Sequence, residues 1–190
     1  MKNFLSLFVY GFITYAISLT LVTNISMAQT IETQKFTVIK EFDIGEIRYY
    51  PPVMKIQSNN NFGSLFNYIS GNNSDGEKIS MTSPVYMGDG DGNNIMEFVL
   101  PQDYNPNNAP AAVSNAVKLF ESEPGYFLTL EFGGYATSRN VTYYSSELNK
   151  IAQKYNIITI GKPILLVYDS PYKVIGRKNE MIIQIVEESI

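Results

Sequence analysis

Short apolar runs, bounded by Pro, Gly, Asn or Asp, recur along most of the chain after its first thirty residues. The clearest are Ile164–Tyr168 and Met181–Val186, which are rich in Ile and Val, as buried strands are. On the same grounds we predict strands near residues 37–42, 46–50, 53–57, 85–87, 95–100, 117–121, 126–132, 164–168 and 181–186. The chain is therefore predicted to build a sheet.

Two other stretches carry a helical period. Near residues 62–70 apolar side chains fall at i, i+3, i+4 and i+7 and form one stripe, made of Phe62, Leu65, Phe66 and Ile69. Asn60 or Asn61 is placed to cap the start of this helix, and Gly71 to end it. A second stripe, near residues 139–155, consists of Val141, Tyr144, Leu148, Ile151, Ala152 and Tyr155. Packing against a sheet is a sufficient explanation for most of these side chains.

The predicted elements form two similar halves, each ordered hairpin, helix, hairpin. The stretch from Pro101 to Pro110 is rich in Pro and Asn and continues neither strand nor helix, so it is predicted to join the halves. This repetition suggests an internal duplication, which is a hypothesis at this point. The fold class is α+β.

The beginning of the chain has the pattern of a secretory signal peptide. The apolar stretch Phe4–Val22 follows Lys2, and small residues at Ser26 and Ala28 precede a cleavage point before Gln29. An uncleaved anchor is the alternative, because the stretch approaches the roughly 20 residues that span a bilayer. No positive cluster follows as a stop signal, so we favour cleavage and a secreted or periplasmic protein. The predicted division is a signal peptide at 1–28 and one domain at 29–190.

Composition limits the chemistry. The 190 residues are 45% hydrophobic and 17% charged, which suits one globular domain. The net charge is -4, and it becomes -5 when the first 28 residues, with their single Lys, are removed, which disfavours a nucleic-acid partner. The chain has no Cys and no His, so disulfides, thiolate chemistry, zinc sites, histidine triads and His-ligated haem are excluded. No catalytic constellation is found, and no metal site is predicted.

Four groups of residues, in order along the chain, carry a family signature. They are Glu46–Pro51, Lys78–Val85, Phe132–Thr137, and the hairpin formed by Tyr168–Pro171 with Gly176–Glu180. Together they resemble the SOUL haem-binding protein family, and the resemblance extends from about Phe36 to about Val186. It implies a twisted, largely antiparallel, barrel-like sheet flanked by two helices.

The resemblance also implies a ligand, haem or another tetrapyrrole, held mainly by apolar contact in a groove edged by the first helix. The ligand-binding candidates that follow are Asn59, Phe62, Gly63, Phe66, Asn67 and Tyr68. Basic residues near this helix in the family are candidates to meet the haem propionates. Here Asn59 and Asn67 occupy those positions, and amides donate hydrogen bonds but carry no charge.

Several alternatives stay open. The ligand could be another hydrophobic or cationic amphiphile, and an enzyme acting on a tetrapyrrole or lipid-like substrate has no residue to support it. A membrane partner is expected only if the first segment is retained. Arg177, Lys178 and Glu180 are interpreted as turn and edge charges, with Arg177 and Glu180 pairing across the hairpin. Unranked axial ligands for haem iron are Met54, Met81, Met87, Tyr68 and Tyr86.

Overall fold

The computed structural model describes residues 31–90 and 93–190, which contain two α-helices and eleven strands. The first-half strands are β1 (Glu32–Thr33), β2 (Thr37–Glu41), β3 (Glu46–Tyr50), β4 (Met54–Ser58), β5 (Thr82–Ser83), β6 (Val85–Gly90) and β7 (Asn93–Val99). The second-half strands are β8 (Lys118–Glu121), β9 (Gly125–Gly133), β10 (Thr159–Val167) and β11 (Lys178–Ile185). The helices are α1 (Phe62–Ile69) and α2 (Ser138–Lys154), and a 3-10 turn follows at Glu187–Ser189. The predicted signal peptide lies outside the described residues.

Nine strands form one antiparallel sheet in the order β2-β3-β9-β11-β10-β6-β7-β4-β8. The sheet curls into a half-barrel, and both helices pack on one of its faces. β1 and β5 form a separate parallel pair. The predicted α+β fold with a barrel-like antiparallel sheet and two helices is confirmed.

The sheet order is nearly symmetrical about its central pair, β6 and β10. Moving outward, β7 matches β11, β4 matches β9, and β8 matches β3, while β2 extends one edge. α1 packs on β4 and β7, and α2 packs on the matching strands β9 and β11. β3 of the first half lies beside β9 of the second half, and β8 of the second half lies beside β4 of the first. This topology agrees with the two predicted halves.

Most predicted element boundaries hold, but β10 begins five residues earlier than the pattern indicated. Its pairing with β11 is irregular between Ile160 and Ile164, where Gly161 has a φ of +74°. Gly161 and Pro163 interrupt the apolar run at this irregularity, so the first part of the strand has no strand pattern. β1 and β5 have only two residues each and were not predicted.

The helix starts follow local capping chemistry. The side chain of Asn61 accepts a hydrogen bond from the backbone N–H of Ser64, and that of Thr137 accepts one from Asn140. α1 is followed by Gly71, whose φ of +110° favours glycine and stops the helix. No helix in the described part of the chain is long and apolar enough to cross a membrane.

The apolar stripe predicted for α1 is partly wrong. Leu65, Tyr68 and Ile69 are buried against the sheet, whereas Phe62 and Phe66 are each 49% exposed. Successive helical residues are about 100° apart, so a buried face centred on Leu65, Tyr68 and Ile69 is turned away from Phe66. The predicted stripe was drawn through aliphatic and Phe residues only and left out Tyr68, so it did not show this rotation of the helix.

Candidate ligand-binding groove

A groove of about 420 Å³ is open on the helix-bearing face of the sheet, between the start of α1 and the first turns of α2. β6, β10 and β11 cross its floor. Its volume lies within the range of about 300 to 1,000 Å³ that is usual for small-molecule sites. It is the candidate functional site of the described residues.

The floor of the groove is a row of apolar side chains on adjacent strands. Leu165 of β10 lies opposite Met87 of β6 on one side and Met181 of β11 on the other. Because side chains alternate between the faces of a strand, all three point toward the helices. The row continues to Met96 beneath α1 and to Leu130 beneath α2. Met87, Leu165 and Met181 therefore lie between the hydrophobic cluster packed under α1 and the cluster packed under α2.

The walls are apolar near the floor and polar at the rim. On the α2 side, Ala136 and Val141 supply apolar surface, and Ser138 and Thr142 supply hydroxyls. On the α1 side the lining residue is Asn60, directly before the helix cap. A flat amphiphilic molecule could place its apolar body on the floor and its polar edge at this rim.

One ion pair lies at the rim. The Nζ of Lys162 on β10 is 2.6 Å from Oδ2 of Asp89 on β6, and Asp89 lines the groove. The hydrogen bond to Asp89 raises the pKa of Lys162, so the ammonium remains charged at neutral pH. Sequence analysis missed Lys162 because it lies in the part of β10 that had no strand pattern.

The structure places the six predicted ligand-binding residues in two environments. Asn59, Gly63 and Asn67 are exposed, and the rings of Phe62 and Phe66 stack with centroids 5.9 Å apart on the exposed side of α1. In contrast, Tyr68 is 1% exposed.

The Tyr68 hydroxyl donates a 2.5 Å hydrogen bond to the carbonyl of Pro110, and burial raises its pKa to about 12. None of the six is among the residues that line the groove in the described part of the chain, although Asn60 lies beside them. Their role in binding stays a prediction.

Only one of the five axial candidates lines the groove described here. Met87 is partly buried at its floor. Met54 and Tyr68 belong to the core beneath α1, and Met81 packs against that core. Tyr86 lies on the opposite face of the sheet, where its hydroxyl donates to Oε1 of Gln34 at 2.6 Å. Met181 also lies at the groove floor, which the sequence pattern did not reveal, because its run predicts only a strand.

The opposite face of the sheet buries charge. Glu180 is 0% exposed and accepts two hydrogen bonds from the Arg48 guanidinium, at 2.8 and 2.9 Å. The Tyr168 hydroxyl donates to the same carboxylate at 2.6 Å, and the Lys178 ammonium is 3.1 Å away. The predicted pairing of Glu180 with Arg177 is wrong, because Arg177 is turned toward backbone carbonyls of the hairpin.

A second buried pair lies on this face. Nζ of Lys55 is 3.0 Å from Oε2 of Glu97 and 3.4 Å from the centroid of the Tyr86 ring. Burial lowers the pKa of Lys55, although the Glu97 carboxylate opposes this shift. The Phe36 ring covers the Arg48 guanidinium at 4.0 Å. Residues before β2 therefore help to cover this face, which contrasts with the open groove.

The arrangement around Glu180 fixes its ionisation. Burial alone would raise the pKa of this carboxyl. The hydrogen bonds and charge of Arg48, the hydrogen bond from Tyr168 and the charge of Lys178 outweigh burial and hold the pKa below its ordinary value of 4.5. Burial raises the pKa of Tyr50 to about 12, although Arg48 opposes the shift. These groups keep one protonation state near neutral pH.

Comparison with known proteins supports the family seen in the motifs. The family model described as SOUL heme-binding protein matches residues 31–184. Heme-binding protein 1 of Sus scrofa is 26% identical over 126 residues, which cover 62% of this chain and 65% of that protein. The match thus spans slightly less than two thirds of the relative's length.

Solved structures share the fold at much lower identity. The crystal structure of the EcmrR C-terminal domain superposes with a TM-score of 0.53 and 9% identity, covering 75% of this chain and 96% of that chain. EcmrR in its DNA complex gives a TM-score of 0.56 and 9% identity, covering 74% of this chain and 56% of that chain. At this identity the likeness concerns the fold alone. The family match, which covers nearly the whole described chain, shows more: the chain belongs to the SOUL haem-binding protein family.

Proposed function

We propose that this protein binds haem or another tetrapyrrole in the groove between α1 and α2, mainly through apolar contact. The observation that carries the proposal is the open groove with an apolar floor, in which Met87 is partly exposed while Leu165 and Met181 form the buried layer beside it. Membership of a haem-binding family and similarity to heme-binding protein 1 support the ligand class.

The energetics favour loose and exchangeable binding. Covering on the order of 400 Å² of apolar ligand surface contributes roughly 10 kcal/mol at ~25 cal/mol per Å². Association itself costs about 4 to 15 kcal/mol, so only a modest surplus remains without a strong axial bond. With no His in the chain, such a bond would have to come from another side chain.

Of the two methionines at the groove floor, Met87 is the better-placed source of a weak axial bond, because it is partly exposed whereas Met181 is 1% exposed. Met87→Leu keeps the side-chain volume and removes the sulfur. If Met87 ligates iron, this change alters the haemin absorbance spectrum but leaves binding of metal-free protoporphyrin unchanged. A spectrum identical to wild type would rule out Met87 as an axial ligand.

Groove occupancy is tested by filling the groove from its rim. Thr142→Trp places a large ring beside the floor from an exposed helical position, and Asn149→Trp adds the same ring to an exposed part of α2 outside the groove. In absorbance titrations with haemin, the first variant should bind at least about tenfold more weakly, which is 1.4 kcal/mol, and the second should match wild type. Equal affinities for both variants, with unchanged melting temperatures, would place the ligand elsewhere.

A cationic amphiphile is the second candidate, because the rim carries the Asp89 carboxylate, for which a cationic ligand would compete with Lys162. Asp89→Asn separates the two ligands. It should weaken binding of a hydrophobic cationic dye, whereas haemin, which carries carboxylates, should bind equally or more tightly because Lys162 is released from its partner. Loss of haemin binding alone would contradict this assignment.

We also propose that the protein is exported and begins at Gln29 after cleavage. Support comes from the apolar segment and from the small residues at Ser26 and Ala28. Mass spectrometry of the exported protein should give a chain that starts at Gln29. Recovery of the uncleaved chain in the membrane fraction would replace this proposal with an anchored protein.

A further inference from the structure

The hairpin between β10 and β11 carries an apolar tip, which we define as Tyr172, Val174 and Ile175. These side chains are 90%, 70% and 86% exposed, and they are the three most exposed large apolar residues in the described part of the chain. They lie within four consecutive positions. Single exposed apolar residues are normal on protein surfaces, but such a concentration marks an interaction site.

The tip stands on a well-bonded base. The buried guanidinium of Arg177 donates to the carbonyls of Ser170 and Lys173, both at 2.7 Å. The carboxylate of Asp169 accepts from the backbone N–H of Lys178 at 2.6 Å and from the Lys173 ammonium at 2.7 Å. These bonds close the loop at several points. The exposure of the tip is therefore a feature of an ordered hairpin.

One exposed positive charge lies within the tip. The Lys173 side chain is 47% exposed, whereas its partner at the base, Asp169, is only 15% exposed. The other two basic side chains of the hairpin carry no free charge toward the tip, because Arg177 is buried and Lys178 pairs with Glu131 and Glu180. The hairpin thus presents an apolar projection with one exposed ammonium among its apolar side chains.

We propose that the apolar tip inserts into the surface of an anionic lipid bilayer. Aliphatic side chains enter the acyl boundary, a Tyr ring suits the headgroup level because its hydroxyl remains hydrated, and a Lys at the same depth meets lipid phosphate. A projecting tip with this composition suits a soft lipid surface better than a rigid complementary groove. The contact does not depend on residues 1–28 or on the tetrapyrrole proposal.

The absence of Trp from the chain allows a local test in the full-length protein. Tyr172→Trp places the one indole at the tip, and Tyr143→Trp places it at a 57% exposed position on α2 as the control. Both are mixed with vesicles of phosphatidylcholine and phosphatidylglycerol, or of phosphatidylcholine alone. With anionic vesicles, emission from Tyr172→Trp should shift to shorter wavelength and be quenched by brominated lipid, whereas Tyr143→Trp should not respond.

Two further arms complete the test. Adding Val174→Ser and Ile175→Ser to Tyr172→Trp should abolish the shift, and high salt should reduce it because charges outside the protein are screened. Because the control indole reports any attachment through the first segment, equal shifts at both positions would overturn the proposal. So would no shift at the tip in a protein with a native circular dichroism spectrum. A shift without vesicles that grows with protein concentration would instead assign the tip to contact between protein molecules.

Discussion

The helix-bearing face of the sheet leaves Met87 at the floor of an open groove, whereas the opposite face encloses Arg48 and Glu180 in an ion pair. Both faces belong to the same central strands. On β11, for example, Met181 points to the groove and its neighbour Glu180 points to the ion pair. Alternation along a strand therefore separates two environments by a single residue.

Because of this difference, we expect the residues that control stability and those that control ligand binding to lie on opposite faces of the sheet. A paired charge on the covered face is costly to disturb, because its partner stays buried without compensation. An apolar side chain at the edge of the open groove already meets solvent and can be changed at lower cost. We therefore expect substitutions on the covered face to change unfolding, and those at the groove and along the exposed side of α1 to change ligand affinity.

The largest effect is expected from Arg48→Met. It leaves the fully buried Glu180 carboxylate without its bidentate partner and should cost roughly 3 to 5 kcal/mol of unfolding free energy, measured by urea denaturation. The double variant Arg48→Met with Glu180→Met removes both charges and should recover most of this loss. A single variant as stable as wild type would show that Lys178 and Tyr168 suffice to hold the carboxylate.

Alanine substitutions of two adjacent residues on α1 should differ strongly in the stability that they cost. Leu65→Ala deletes a side chain that is 0% exposed and should cost about 2 to 5 kcal/mol, whereas Phe66→Ala, at a half-exposed position, should cost under about 1.5 kcal/mol. Thermal unfolding measures both. If Phe66 contacts the ligand, its variant loses haemin affinity while remaining folded. Equal destabilisation by the two changes would contradict the observed rotation of α1.

Acid should weaken the covered face. Because the folded-state pKa of Glu180 is below its ordinary value of 4.5, its contribution is fully present above that value and is lost as pH falls through the lower folded pKa. The unfolding free energy of the wild type should therefore fall below pH 4.5, and Glu180→Gln should show a flatter dependence. Urea denaturation across this range gives both slopes. Parallel slopes would mean that other carboxylates control acid unfolding.

The smallest effect is expected on haemin affinity, from a substitution at the edge of α1. Asn67→Lys adds an ammonium at an exposed position and should leave the melting temperature unchanged. If propionates approach α1, haemin affinity rises at low salt, and the gain disappears at high salt. Unchanged affinity at both salt concentrations, in a protein that melts normally, would place the propionates away from this helix.

Much of the fold could be predicted because the hydrophobic periods typical of strands and helices are visible within short segments of the sequence. β3, β4 and β9 lie close to their predicted limits, and both helices form where the apolar stripes placed them. β10 was shortened in the prediction because Gly161 and Pro163 break its apolar run at an irregularity that only sheet pairing defines. Local pattern thus located the elements but not their full extent.

The candidate site was less predictable, because it depends on register between distant strands. Met87, Leu165 and Met181 lie side by side only after β6, β10 and β11 have paired. Similarly, Arg48 meets Glu180 across 132 residues of sequence. The prediction paired Glu180 with Arg177, three residues away, because the sequence alone shows which residues are close along the chain but not which are close in space.

The exchange of strands between the two halves has a consequence for how the chain is made. β3 pairs with β9, so Glu46 lies opposite Thr129, 83 positions later, and β4 likewise needs β8 from the second half. A ribosome that has completed only the first half has released strands whose edges are still open. Since such non-local pairing is slow and exposes strand edges, the nascent chain stays incompletely folded until nearly all of it has been synthesised.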